Sequence, residues 1–175
     1  FKSGVLKVVK VLLFTGFVGG YGGISKVSKT YCHLKDKGLD PKIVTVSGYQ
    51  SNLPKFNLKA DLIIPQGNNF KENSQNVLKG LNSCDYDLMV SFGPRTYGPR
   101  HAVEHNKRSV IIDGGLPDKY QKGTEYDAEV YRNLDAFIAT CYFPWEIPQE
   151  IKANYPGMTI KVLSQPINEK QRAYL

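Results

Sequence analysis

The chain has 175 residues, of which 41% are hydrophobic and 22% are charged, a composition typical of one globular domain rather than a disordered segment. No apolar run approaches the ~20 residues of a membrane span, and the three cysteines are widely spaced without a CxxC pair, which argues against a disulfide framework and favours the cytoplasm. The formal net charge of +7 suits an anionic partner, namely a nucleotide, a phosphorylated acceptor, an acidic membrane surface or nucleic acid, but it equally suits an ordinary solvated surface.

Apolar runs alternate with helical stretches along the chain. This alternation predicts an α/β fold, a Rossmann-like three-layer sandwich with a mainly parallel sheet of about six to seven strands and helices on both faces. The predicted strands are residues 8–14, 42–46, 61–65, 86–92, 109–113, 136–141 and 159–163. Helices are predicted over residues 24–38, 74–81 and 97–106, and two long loops over 47–60 and 114–128. Long loops at the carboxyl ends of strands are where such folds place their sites.

The segment between the first strand and the first helix is dense in glycine. Residues 15–23 read TGFVGGYGG and contain five glycines. Glycine has no side chain and tolerates positive φ, so bare backbone N–H groups can face a ligand, and a following helix adds the positive end of its dipole. The predicted anion-binding residues of this loop are Gly19, Gly20, Tyr21, Gly22 and Gly23. Such a loop holds a nucleotide, a diphosphate or a sugar.

Two nucleotide-binding motifs fit this loop poorly. The spacing of Thr15, Gly16, Gly20 and Gly22 matches the TGxxxGxG pattern of NAD(P)-dependent short-chain dehydrogenases. That family also needs an acidic residue after the second strand, which here ends in Val-Ser-Gly-Tyr. Its Tyr-x-x-x-Lys pair occurs only inside the first predicted helix. No Gly-Lys-Ser/Thr follows the glycines, which disfavours a phosphate-loop NTPase.

A zinc-protease pattern also occurs in the third predicted helix. His101 and His105 form a literal HxxEH, and two histidines four residues apart share one helix face. A catalytic zinc needs a third ligand from a second helix, and the sequence shows none that is recognisable. We therefore expect a surface histidine pair and no metal.

Two further loops contain candidate binding or catalytic side chains. The segment after the fourth strand, SFGPRTYGPRHA, offers the planar guanidinium groups of Arg95 and Arg100 for phosphate or carboxylate, although it also reads as a structural turn. The segment after the fifth strand begins Asp113-Gly114-Gly115. A carboxylate at the end of a strand is placed to act as a general base, or it caps a turn.

Taken together, the three loops resemble the amino-terminal half of a GT-B glycosyltransferase of the MurG-like group. That group has a Gly-Gly-rich loop after strand 1, matched by residues 19–23, and a Phe-Gly-…-Gly-Pro-x-x-Ala segment after strand 4, matched by residues 92–102. Its fifth strand corresponds to residues 109–114, and a strand leading to the interdomain linker corresponds to residues 162–167. Two positions depart from the group: Tyr21 stands where a histidine is typical, and Asp113-Gly114 replaces His-Glu.

The resemblance implies a division of labour between two domains. Residues 1–167 would form the acceptor-binding domain, residues 168–175 would begin an interdomain linker, and a carboxyl-terminal domain or subunit would bind the nucleotide-sugar donor. Asp113, or else His101, would take the proton of the acceptor hydroxyl. The residues expected at the acceptor and the diphosphate are the loop residues 19–23 together with Gly93, Arg95, Tyr97, Arg100 and Gly114.

Two other functions remain open from the sequence. The chain could be a non-catalytic subunit that binds the acceptor and recruits a catalytic chain, at the membrane through its basic face. It could also belong to a DNA-modifying glucosyltransferase, since the net charge suits duplex DNA. Salt-sensitive binding to DNA would separate the second from a small-acceptor enzyme.

Overall fold

The computed structural model describes residues 9–115, 127–140 and 149–162. Among these residues, seven strands form one sheet in the order β3-β2-β1-β4-β5-β6-β7, and every adjacent pair is parallel. The strands are β1 (Val11–Gly16), β2 (Lys42–Val46), β3 (Leu62–Ile64), β4 (Leu88–Phe92), β5 (Arg108–Asp113), β6 (Ala136–Ala139) and β7 (Thr159–Val162). The helices are α1 (Tyr21–Asp36), α2 (Phe70–Leu81), α3 (Tyr97–Glu104), α4 (Ala128–Arg132) and α5 (Gln149–Asn154). The predicted Rossmann-like fold with a parallel sheet is confirmed.

The sheet is covered on both faces, as its continuous apolar strands require. In β1, Leu12 and Phe14 point to a core shared with α2 and α3, whereas Val11 and Leu13 point to a core shared with α1. This alternation is the period of two expected of a strand, here buried on both sides. A third core lies between β5, β6 and α4 and includes the fully buried Tyr131.

The helix boundaries differ from the sequence prediction at two amino-terminal ends. Helix α1 begins at Tyr21, three residues earlier than predicted, and α2 begins at Phe70. The side chain of Asn69 caps α2 by accepting the Glu72 N–H at 3.0 Å, and Glu72 accepts the Asn68 N–H in return. Such reciprocal capping satisfies backbone donors that the first turn leaves without partners. The structure also contains α4, α5 and a 3-10 turn (Leu53–Phe56) that the sequence did not predict.

Several predictions fall outside the described residues. These are the linker at 168–175, residues 163–167 of the segment that leads to it, Cys141, and most of the loop over 114–128. Within the part of the chain that is described, no helix is long and apolar enough to cross a bilayer.

Candidate active site

The strand order reverses direction between β1 and β4, so the loops that follow these two strands diverge. In open parallel sheets such a switch point at the carboxyl ends of the strands is where ligands bind. A cavity of about 210 Å³ opens at this place. It is lined by Phe14, Gly16, Phe17, Val18, Phe92, Gly93, Pro94 and Arg95. The predicted binding residues Gly93 and Arg95 therefore lie in one wall, and the start of the glycine segment forms the other.

The glycine segment is shorter than predicted, because part of it is helical. Gly16 ends β1 with φ +51°, and the loop proper covers residues 17–20. Gly22 and Gly23 belong to the first turn of α1, which corrects their assignment to the loop. Gly19 is tied to the loop after β2, since its carbonyl accepts the Asn52 side-chain amide at 2.5 Å.

The first turn of α1 leaves backbone donors without partners. The first α-helical bond of the turn joins the Ile24 N–H to the Gly20 carbonyl, and no side chain caps the helix. The N–H groups of residues 21–23 precede that bond, and no acidic side chain occurs in the turn. Together with the helix dipole, these donors make a place suited to an anion.

Two of the glycines have no steric reason to be glycine within this chain. A Cβ placed on Gly20 or Gly22 would meet no atom within 4 Å. By contrast, a Cβ on Gly23 would lie 2.2 Å from Cγ1 of Val18, so packing alone explains that glycine. The open space at Gly20 and Gly22 leaves the backbone bare on the side that faces solvent.

An aromatic cluster lies beneath the cavity. The Phe17 ring lies 5.4 Å from that of Tyr49 and 5.1 Å from that of Tyr97, which in turn lies 5.4 Å from Phe70. The guanidinium of Arg95 covers Phe17 at 4.8 Å from the ring centroid, a cation–π geometry. Tyr97 is only 3% exposed, so it supports the cavity from below. This burial argues against its predicted contact with the acceptor.

Tyr21 behaves differently from these buried rings. Its side chain is 63% exposed, and one face of its ring packs on Phe56 of the 3-10 turn at 4.8 Å. It therefore stands beside the first-turn amides with its other face open.

Arg100 does not reach the cavity. It pairs with Asp127 at 2.7 Å between α3 and α4, and the Asp127 N–H donates to Thr96. This ion pair fastens α4 to α3. This pairing argues against the predicted contact of Arg100 with the acceptor, whereas Arg95 lies in the wall of the crevice.

His101 is buried rather than on the surface. Its Nε2 donates to Oδ1 of Asn82 at 3.0 Å, and its Nδ1 accepts from the Tyr86 hydroxyl at 2.7 Å. Burial lowers the pKa of His101 to about 4, with a further contribution from His105, whose ring stacks on it at 4.1 Å. A neutral imidazole with both nitrogens engaged takes no proton from an acceptor. Nor does it offer a free nitrogen to zinc, and among the described residues no cluster of metal ligands occurs.

Asp113 ends β5 at the same edge of the sheet, outside the cavity. Its Oδ2 accepts the Gly115 N–H at 2.9 Å, and its carbonyl accepts the Thr140 N–H at 2.8 Å and the Thr140 hydroxyl at 3.0 Å. Gly114 follows directly and is half-buried. The carboxylate thus caps the turn, as one of the two sequence readings had it, and is still partly exposed.

Two contacts at this edge could not be predicted from the sequence. Asn52 holds the carbonyl of Gly19, and Lys26 reaches Thr140 across 114 positions of the chain. Contacts between residues so far apart leave no local pattern.

No protein-family model and no curated protein sequence matches this chain. Solved structures do match. UDP-GlcNAc 2-epimerase from Neisseria meningitidis, solved with UDP-GlcNAc, superimposes with a TM-score of 0.63 at 17% identity over 86% of this chain and 46% of that one. The spinosyn forosaminyltransferase SpnP gives 0.61 at 13% identity over 80% and 48%. MurG from Acinetobacter baumannii gives 0.58 at 14% identity over 87% and 45%.

These neighbours are GT-B fold glycosyltransferases and UDP-GlcNAc 2-epimerases, and at such identities they establish the fold alone. The chain spans 41% to 46% of the length of three UDP-GlcNAc 2-epimerase structures that it matches.

Proposed function

We propose that the chain is the acceptor-binding, amino-terminal domain of a nucleotide-sugar-dependent glycosyltransferase of the GT-B type, close to the MurG-like group. The observation that carries this proposal is the crevice at the β1/β4 switch point, with the uncapped first turn of α1 at the same edge of the sheet. A donor-binding domain or subunit would close over that edge, and the co-substrate would be a nucleotide sugar.

Each part of the site has a role in the proposed reaction. The acceptor oxygen attacks C1 of the sugar, a glycosidic bond forms, and the bond from C1 to the diphosphate breaks. The first-turn N–H groups and the helix dipole stabilise the charge on the departing diphosphate. Asp113 takes the proton of the acceptor hydroxyl, and Arg95 orients the acceptor over the cavity.

A second candidate is a UDP-GlcNAc 2-epimerase-like function, favoured by the epimerase structures among the neighbours. Product analysis with UDP-GlcNAc, in the presence of the donor-binding domain or subunit, separates the two. A transferase releases UDP and leaves the sugar on a hydroxyl acceptor, whereas an epimerase returns a nucleotide sugar inverted at C2 without any acceptor. A non-catalytic recruiting subunit would do neither and would still bind the acceptor.

The amide site is tested by a pair of substitutions at Tyr21. Proline fits the first helical position, and Gly20 before it is already extended at φ −67°, ψ 147°, so Tyr21→Pro removes one N–H donor and leaves the helix intact. Tyr21→Ala removes the same ring and keeps the donor. By calorimetry with UDP, we expect Tyr21→Pro to bind about tenfold more weakly than Tyr21→Ala, the worth of one charge-assisted hydrogen bond. Equal affinities in the two variants would refute the amide site.

A further inference from the structure

Lys26 links helix α1 to the far half of the sheet. Its ammonium donates to the hydroxyl of Thr140 at 2.6 Å, and that hydroxyl donates to the carbonyl of Asp113 at 3.0 Å. Thr140 directly follows β6 and Asp113 ends β5, so the ammonium lies at the carboxyl edge of the sheet. This is the edge on which the crevice opens, but Lys26 is not part of the cavity wall.

The partner of this ammonium is a neutral oxygen. No carboxylate of the described residues lies within 4.0 Å of Lys26, whereas Lys10, Lys35 and Lys42 each pair with an aspartate in solvent. Lys26 is also partly buried. Within the described part of the chain, the arrangement leaves a positive charge fixed in place without a neutralising carboxylate.

The position of Lys26 on the helix directs it to this edge. Side chains of an α-helix lean toward its amino terminus, and the amino terminus of α1 lies at the carboxyl ends of the strands. Ile24 and Val27 beside it are fully buried against the sheet and fix the rotation of the helix. Lys29 lies three residues further along the same helix and is exposed to solvent.

We propose that Lys26 binds a phosphate group of the ligand beside Asp113, with the Thr140 hydroxyl holding the ammonium in position. The choice of a phosphate follows from the fixed, un-neutralised ammonium, which recognises a compact anion as a point charge. The inference rests on the proposed function only in naming that phosphate as part of a nucleotide sugar or of a phosphorylated acceptor.

The test is calorimetric titration of the full chain at 150 mM salt with pyrophosphate, UDP and glucose 6-phosphate. Lys26→Met keeps the aliphatic stem and removes the charge, and Lys29→Met is its matched control on the same helix. We expect Lys26→Met to weaken the binding of the recognised phosphate tenfold or more and Lys29→Met to change it less than twofold. Loss with pyrophosphate and UDP identifies the donor diphosphate, and loss with glucose 6-phosphate alone identifies an acceptor phosphate.

A second variant tests whether the Thr140 hydroxyl holds the Lys26 ammonium in position. Thr140→Val keeps the charge of Lys26 but removes the hydroxyl that holds its ammonium. We therefore expect the affinity for the recognised phosphate to fall about threefold. Equal affinities of Lys26→Met and Lys29→Met for all three probes, or no binding of any probe by the unmodified chain, would overturn the inference. The amide site is judged separately, because Tyr21→Pro and Tyr21→Ala both retain Lys26.

Discussion

Replacing Gly22 with alanine should stabilise the chain and weaken its binding of an anion. Gly22 lies in the first turn of α1 without positive φ, and a Cβ there meets no atom within 4 Å. Alanine favours a helix over glycine by roughly 0.5–1 kcal/mol. Because the first turn is less sensitive than the interior, we expect the free energy of unfolding to rise by about 0.5 kcal/mol.

The same methyl group stands in the way of a ligand. A helical Cβ is tilted toward the amino terminus, which is the direction from which an anion reaches the first-turn N–H groups. Inserting one methyl into a close contact costs ~1–3 kcal/mol, so we expect pyrophosphate to bind about tenfold more weakly, equivalent to 1.4 kcal/mol.

Urea denaturation followed by circular dichroism measures the first effect, and calorimetric titration with pyrophosphate measures the second. Gly157→Ala is the matched control, since its Cβ approaches only the Arg132 carbonyl, at 4.0 Å, and it lies before β7. Gly157→Ala should raise the free energy of unfolding by reducing the conformational entropy of the unfolded chain, and it should leave the affinity for pyrophosphate unchanged. A less stable Gly22→Ala would show that the helix does not begin at Tyr21. An unchanged affinity would show that the bare backbone does not serve a ligand.

Three further outcomes follow from the packing and the titrating groups. Gly98→Ala should lower the free energy of unfolding by about 1–3 kcal/mol in urea, because the new Cβ would lie 2.3 Å from Cδ1 of Phe14, and a neutral result would contradict this contact. Asn69→Ala should cost about 1 kcal/mol in the same assay, since the N–H of Glu72 loses its cap, and Asn69→Asp should largely restore it. Burial lowers the pKa of His101 from 6.5 to about 4 in the folded chain. Between these two pH values the unfolded chain binds a proton at His101 that the folded chain does not. The free energy of unfolding should therefore fall as the pH drops from 6.5 toward 4. The loss is on the order of 3 kcal/mol. The difference in the free energy of unfolding between the unmodified chain and His101→Gln should shrink over that pH range. A constant difference would contradict the lowered pKa of His101.

The sheet could be predicted from the sequence because its signal is local. Runs of valine, isoleucine and leucine mark strands that are buried on both sides, and all seven lie within three residues of their predicted ends over the described ranges. The start of α1 could not be predicted in the same way. Glycine has low helix propensity, so Gly22 and Gly23 read as loop, although an extended Gly20 starts the helix at Tyr21.

The side chains of the site were less predictable, because their partners come from other elements. Arg95 and Arg100 have the same chemistry and lie five residues apart, yet one covers Phe17 at the crevice and the other pairs with Asp127. His101 looks like a surface residue until its bonds to Tyr86 and Asn82, in the connection between α2 and β4, are known. Neither outcome can be deduced from spacing along one helix.

The order of the strands sets how far apart the parts of the site lie. Strand β4 separates β1 from β5, so the glycine segment and Asp113 are roughly 10 Å apart, two inter-strand spacings. The cavity of about 210 Å³ beside Arg95 does not include Asp113. One small ligand in that cavity would not reach the carboxylate, whereas two ligands meeting along the edge would. Lys26 spans this gap from α1 to the end of β6. Separate places for two partners along this sheet edge would suit the transfer of a group between them, as proposed above.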